Sequence, residues 1–328
     1  VGVLTTAAAM LGALTLLPGP AAEAARLSAP AVAGPCGTLP YDQNDPPDYS
    51  HIVMIMDENL SYDQLQQSTI APYLHGLAAR CGSETNMHAA THPSQPNYMA
   101  ATSGIASGVG VHTANDNIFA QLQSSGRAWR TYAESMPKPC SPAAASSPTY
   151  KIGHNPAFFY TDLRTPENTC LLNDLPMSPG LGDAIASDSL TAYTWIVPNL
   201  CDDIHWIAAC SYPRAQRVGA GDDWLSTVVP RLTATPSYQA GRTLIVITFD
   251  EGTGGSTNGV DCTDPAYYPA HADCRIATIV VSPYIVPGAV DGTDQNLYSL
   301  LATTEDILRL PRLNRAVGQP SLRPGLRF

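Results

Sequence analysis

His51-Ile-Val-Met-Ile-Met-Asp-Glu-Asn59 sets the architecture of the chain. Its apolar run lacks the alternation of a half-exposed strand, as expected of a strand buried on both faces, and it breaks abruptly into acids and an amide. Comparable apolar runs recur at 191–197, 244–249 and 276–281. Between and beyond them, helical patterning marks 71–80, 96–103, 118–124, 224–232 and 297–310. Strands alternating with helices predict an α/β fold, a central and mostly parallel sheet sandwiched by helices. Ligands of such sheets bind beyond the carboxyl ends of the strands. Two of the runs deliver polar clusters there, Asp57-Glu58-Asn59 and Asp250-Glu251.

The 328 residues, 44% of them hydrophobic, suffice for a substantial core, and Pro 29 with Gly 25 imply many turns and long surface loops. Residues 1–24 read as an export signal: 3–17 is apolar, and Ala22-Glu23-Ala24 supplies the small-x-small pattern of a cleavage site. Residues 25–48 follow as an extended leader, and 49–328 as a single domain with a loop-built rim. The net charge of −11, with 17 Lys plus Arg, leaves no basic stripe for nucleic acid. A phosphate-bearing ligand of so acidic a chain needs a local positive centre, which a bound cation would supply. No later run is long and apolar enough for a stable membrane span.

The cysteines number 8 and include no C-x-x-C pair, so zinc-ribbon and thioredoxin readings fall away. In an exported chain they are expected as disulfides, for which roughly a hundred full pairings exist. Pairing of neighbours is the expectation, 36 with 81, 140 with 170, 201 with 210 and 262 with 274, because each closes a loop around a segment of interest.

Glu58 and Asn59 could fold a carboxylate and an amide oxygen onto one hard cation, or could cap the next helix. Asp250 and Glu251, followed by a glycine-rich turn, repel one another unless a cation lies between them. Two such clusters on one sheet favour a shared metal site. Between them stands Thr91-His-Pro-Ser-Gln-Pro-Asn-Tyr98, where Ser94 opens a helix with Pro96 in its first turn. Ser94 fits a helix cap there, or a nucleophile made competent by a base or a metal.

The order Glu58-Asn59, then Ser94-Gln-Pro-Asn-Tyr98, then Asp250-Glu-Gly252 resembles the phosphoesterase family of bacterial phospholipases C and acid phosphatases, within the alkaline-phosphatase superfamily. The resemblance spans about 51–310. It implies an alkaline-phosphatase-like fold, and hydrolysis of a phosphate ester through a phosphorylated Ser94. It further implies metal ligation by Glu58, Asn59, Asp250 and Glu251 alongside the seryl oxygen. His154, His205 and His271 are then expected around the phosphate, binding its oxygens and protonating the leaving group, with Asp203 orienting His205 or joining the metal. Asn117, with Asn115 as its rival, would donate to a phosphate oxygen. One divalent ion, zinc or calcium, is implied, since the D-H-G motif of two-zinc relatives is missing.

A sulfatase would carry Arg where Tyr98 stands, and an α/β-hydrolase would place its serine in G-x-S-x-G, which neither Ser94 nor Ser107 occupies. An inactive binding protein would not need these acids and this serine together. The expectation is therefore a secreted, monomeric phosphoric ester hydrolase acting on a small phosphate ester or a phospholipid headgroup. A phosphodiesterase of phospholipase C or glycerophosphodiester type comes first, with a phosphomonoesterase as the alternative.

Overall fold

Among the described residues nine strands form one sheet, in which those starting at Asp174, Trp129, Tyr193, His51, Thr243, Arg275, Gly82 and Ala289 lie side by side in that order and the one starting at Gln295 pairs with that of Gly82. In the computed structural model, which describes residues 1–2, 34–142, 147–164, 169–254 and 257–328, the first half of the chain gives β1 (His51–Asp57), α1 (Tyr62–Gln67), α2 (Pro72–Arg80), β2 (Gly82–His88), α3 (Ser94–Ser103), α4 (Ile118–Ser124) and β3 (Trp129–Ala133). Then come α5 (Thr169–Asn173), β4 (Asp174–Pro176), α6 (Gly180–Ala186), β5 (Tyr193–Val197), α7 (Arg217–Thr233) and α8 (Pro236–Gln239). The chain continues through β6 (Thr243–Phe249), β7 (Arg275–Val281), β8 (Ala289–Asp291), β9 (Gln295–Asn296), α9 (Leu297–Ile307) and α10 (Arg323–Leu326). Residues 34–328 make one compact unit, and 34–48 carry neither helix nor strand. The expected export signal, beyond its first two residues, and the leader up to 33 lie outside the described residues.

Every pairing is parallel except those of β7 with β6 and with β2. The four apolar runs are β1, β5, β6 and β7. β1 and β6 lie between sheet neighbours on both sides, and 52–56 and all of β6 are buried, which explains their unbroken apolarity. Each large apolar side chain buried this way contributes about 1.5–3 kcal/mol. β2, Gly-Ser-Glu-Thr-Asn-Met-His, has no such signature, because it buries Glu84 and His88 along with Met87. Helices α3 and α9 pack together, as do α2 and α7. Among the described residues no helix is long and apolar enough to cross a membrane.

All four expected disulfides are present: Cys36–Cys81, Cys140–Cys170, Cys201–Cys210 and Cys262–Cys274. The first ties the leader to the end of α2, and the third closes a loop of sequence separation 9 directly after β5.

Three carboxyls away from the strand ends are buried and held above their usual range. Burial, reinforced by Asp291, pushes Glu84 up to about 9, and neither of its oxygens has a hydrogen-bond partner. Burial likewise raises Glu305 to about 8. Asp174 rises to about 7 through burial, despite hydrogen bonds from Thr131 and Asn155. A carboxyl with a raised pKa holds its proton more tightly when folded, so its contribution to stability is complete below the unfolded pKa and is lost as pH rises through the folded one. With unfolded values of 4.5 for Glu and 3.8 for Asp, the window lies above them and extends to about 9. The melting temperature should therefore fall between about pH 5 and about pH 9, and Glu84→Gln should flatten that fall. A melting temperature constant across this range, or a Glu84→Gln protein with an unchanged slope, would contradict the assignment.

Candidate active site

Register brings the two acid clusters together. Asp57 on β1 pairs with Phe249 on β6, so Glu58 and Asp250 leave the sheet side by side at the carboxyl ends of adjacent parallel strands. The Asp250 N–H donates to the Asp57 carbonyl at 3.0 Å, and the Glu58 N–H to the Asp203 carbonyl at 2.7 Å, which anchors the loop after β5 to the same place. Asn59 turns the chain with a left-handed φ of 54°. Its N–H and that of Glu251 both donate to Asp250 Oδ1, at 3.1 and 2.7 Å. Gly252 is required by close approach: a Cβ there would lie 2.7 Å from Ser61 Cβ and 2.8 Å from the Asp273 carbonyl.

Ser94 is the first residue of α3, after Pro93 at the cap position, so its hydroxyl is not consumed in capping. Pro96 falls within the first turn, where its missing N–H costs nothing. Asn97 explains its own place in the motif: its Oδ1 accepts from the N–H groups of Ala90 and Thr91 at 2.9 and 3.0 Å, and its Nδ2 donates to the Thr91 carbonyl at 2.8 Å. These bonds fix the loop leading into Ser94. The seryl Oγ donates to Glu58 Oε2 at 3.1 Å and to Glu251 Oε1 at 3.2 Å.

Histidines surround this core. His154 Nε2 lies 2.8 Å from Glu58 Oε1, and its Nδ1 lies 3.2 Å from Asp203 Oδ2. Burial alone would lower the pKa of His154, but the carboxylates of Glu58 and Asp203 outweigh it and raise the group to about 9. Burial would raise Glu58, yet His154 and the surrounding hydrogen bonds hold it well below the usual carboxylate range. His205, about one-third exposed, places Nδ1 2.9 Å from Glu58 Oε2, and Asn59 Nδ2 donates to that same oxygen. Asp203 accepts from the His205 N–H at 2.8 Å, so it positions both histidines: one through the ring, the other through the backbone. His205 sits between Ile204 and Trp206, whose φ values of 75° and 72° are strained for non-glycine residues.

The donor set fits a hard divalent cation. Glu58, Asp250 and Glu251 are all buried beside Ser94, and Asp250 Oδ2 is fully buried without a hydrogen-bond partner. Burial first, and then the charges of Glu58 and Glu251, hold the Asp250 carboxyl well above its usual range, as expected of clustered acids lacking a positive counterpart. Glu58, His154 and His205 also bring ligand atoms within 4.8 Å of one another.

Ser94, Asn59, Glu251, His154 and His205 open onto a cavity of about 600 Å³. Val109, Ile152, Phe158 and Phe159 supply its apolar wall, and Lys151 lies on its rim. Asn117, its rival Asn115 and His271 do not line this cavity. Asn117 caps α4: its Oδ1 accepts from the Ala120 N–H at 2.9 Å, and its amide donates to Asp162 and the Asn115 carbonyl. Its donor capacity is thus taken up within the protein, and it does not line the cavity. Asn115 donates to Ser107 at 3.0 Å. His271 stacks on Tyr267 with ring centroids 3.8 Å apart and does not line the cavity.

The sequence reading missed His92, which places Nδ1 2.6 Å from Glu251 Oε2 and Nε2 3.6 Å from Asp273. It stands two residues before Ser94, and that adjacency was the available signal. Tyr98, which closes the Ser94-Gln-Pro-Asn-Tyr98 motif and stands where a sulfatase has arginine, has a contact the sequence does not predict: its hydroxyl donates to Glu58 Oε1 at 3.3 Å.

Comparison with known proteins identifies the family. The chain is 25% identical over 283 residues to a phosphatidylinositol-3-phosphatase of Mycobacterium tuberculosis, covering 84% of this chain and 82% of that one. It is also 25% identical to an acid phosphatase of Aspergillus fumigatus, over 81% of this chain but 56% of the longer fungal protein. A protein of the alkaline phosphatase superfamily from Vibrio parahaemolyticus superposes with a TM-score of 0.54 at 13% identity, covering 90% of this chain and 79% of that one. Murine ectonucleotide pyrophosphatase/phosphodiesterase 5 superposes with a TM-score of 0.52 at 10% identity, over 80% of this chain and 96% of that one. These two likenesses concern the fold, which this chain shares with a member of the alkaline phosphatase superfamily. The Phosphoesterase family model matches residues 67–311, and the chain belongs to that family.

Proposed function

We propose that this phosphoesterase is an exported, metal-dependent phosphatase that cleaves phosphate monoesters by attack of Ser94 on phosphorus. The observation that carries the reading is the position of Ser94 Oγ, at the start of α3 and between Glu58 and Glu251, facing an open cavity. Relatives named as phosphatases support a monoester substrate. Four disulfides are consistent with an extracellular protein.

Glu58, Asn59, Asp250 and Glu251 would hold a zinc or calcium ion, which when bound lowers the pKa of the seryl hydroxyl and neutralises phosphoryl charge. Ser94 Oγ loses its proton to solvent and forms the new bond to phosphorus as the ester oxygen departs in line. His205 gives that oxygen its proton: its Nδ1 faces Glu58, which leaves Nε2 for the substrate. His154 has both ring nitrogens against carboxylates, so its part is to position and balance Glu58. Water then cleaves the phosphoseryl intermediate and regenerates the hydroxyl. Placement and charge neutralisation together must remove a very large barrier, since phosphate monoester hydrolysis is among the slowest uncatalysed reactions. His271, stacked on Tyr267, has no step in this scheme.

A second reading, a diesterase of phospholipase C or glycerophosphodiester type, is favoured by one feature. The apolar wall formed by Val109, Ile152, Phe158 and Phe159 offers room for a second ester arm.

Ser94→Ala should lower turnover of nitrophenyl phosphate by at least about a thousandfold while leaving the melting temperature essentially unchanged. More than a tenth of the activity retained in that variant would sink the nucleophile assignment. His205→Ala should slow alkyl phosphates about a hundredfold and nitrophenyl phosphate far less, because an aryl oxide departs without a proton. Equal losses on the two substrates would return His205 to a structural role.

A further inference from the structure

We infer that the arginine-lined hollow beside His205 is a second anion subsite, which receives a further phosphate group carried by the same molecule whose ester is attacked at Ser94. The inference rests on the phosphoester reading of the Ser94 site. The hollow, about 270 Å³, is lined by Asn59, His205, Trp206, Arg214, Arg217 and Thr253. Asn59 and His205 also line the main cavity, so the two spaces meet across the histidine assigned to the leaving group. A substrate bound at Ser94 would extend past His205 toward the arginines.

The two arginines differ in kind. Arg217 is fixed: its Nη1 donates to the carbonyls of Asn59 and Ile204 at 3.1 and 2.9 Å, and its Nη2 to Thr253 Oγ1 at 2.9 Å. All three acceptors are neutral, so its charge is held in place without being balanced. Arg214 is exposed, and its guanidinium has no hydrogen-bond or ion-pair partner among the described residues. Both line the same small hollow, which makes them neighbouring like charges. In a chain of net charge −11, placing two unbalanced guanidiniums at the mouth of a phosphate site costs repulsion that a bound dianion would offset. Two guanidinium planes, one rigid and one adjustable, suit the several oxygens of a phosphate group.

The test compares short alkanediol bisphosphates with alkyl monophosphates of the same chain length. Binding is read by calorimetry on the metal-loaded Ser94→Ala protein, with and without Arg214→Gln. Loss of one charge-assisted contact should raise the Kd of the bisphosphate about tenfold and that of the monophosphate at most about twofold, with Arg214→Lys in between. In the active enzyme the bisphosphate-to-monophosphate ratio of kcat/KM should fall in parallel. Equal weakening of both ligands would reduce Arg214 to long-range steering, and no change in either would remove it from binding. Each outcome overturns the subsite. If the hollow served a free ion instead, added inorganic phosphate would raise monophosphate affinity and the bisphosphate would bind no better than the monophosphate, which also overturns it. Turnover of the monophosphate by the parent protein tests the phosphoester reading separately, since the binding preference is measured without chemistry.

Discussion

Buried carboxylates that repel one another govern how the site and its surroundings are built. Glu58, Asp250 and Glu251 are all removed from water within one small volume, where like charges interact far more strongly than at a surface. Such a cluster is tolerable only if protons, donors or a cation balance it. The protein supplies part of the balance itself, through His92 on Glu251 and through His154 and His205 on Glu58. Asp250 Oδ2 is left without a partner, a residual demand that a bound cation would meet.

The fold meets this constraint by rigid means. Parallel pairing of β1 with β6 fixes the spacing of the acid clusters, while the short Cys201–Cys210 loop and its bonds to Asp203 hold His205 in a strained turn. Helix α3 is buried along almost its whole length although it is polar, with Thr102 and Ser103 returning their hydroxyls to carbonyls one turn earlier. A buried polar helix is a firm base for a nucleophile, since moving Ser94 would disturb satisfied bonds throughout it. The raised carboxyls of Glu84, Glu305 and Asp174 show the same tolerance of buried acids away from the site.

How legible this was in the sequence depended on burial. Strands β1, β5, β6 and β7 announced themselves because sheets covered on both faces demand unbroken apolar runs. β2 could not, since Glu84 and His88 interrupt it. The cysteine pairing followed loop closure. At the site, Glu58, Asn59, Ser94, Asp250 and Glu251 stood out by type and position, His154 and His205 came only from the family resemblance, and the structure gathers them in one place. Asn117 is ambiguous in the sequence because an asparagine before a helix looks the same whether it caps that helix or faces a ligand. His271 and His92 lie on opposite sides of the same confusion: a histidine's partners are set by tertiary contacts that neither local pattern nor spacing records.

Carboxylates arranged around Ser94 to hold a cation make metal content the decisive measurement. Elemental analysis of the purified protein, dialysed free of loosely bound ions, should find a divalent ion in stoichiometric amount. Asp250→Asn should lose it, because an amide cannot provide the charge of a carboxylate. A fully active protein without bound divalent ion, or an Asp250→Asn variant that retains it undiminished, would contradict the account.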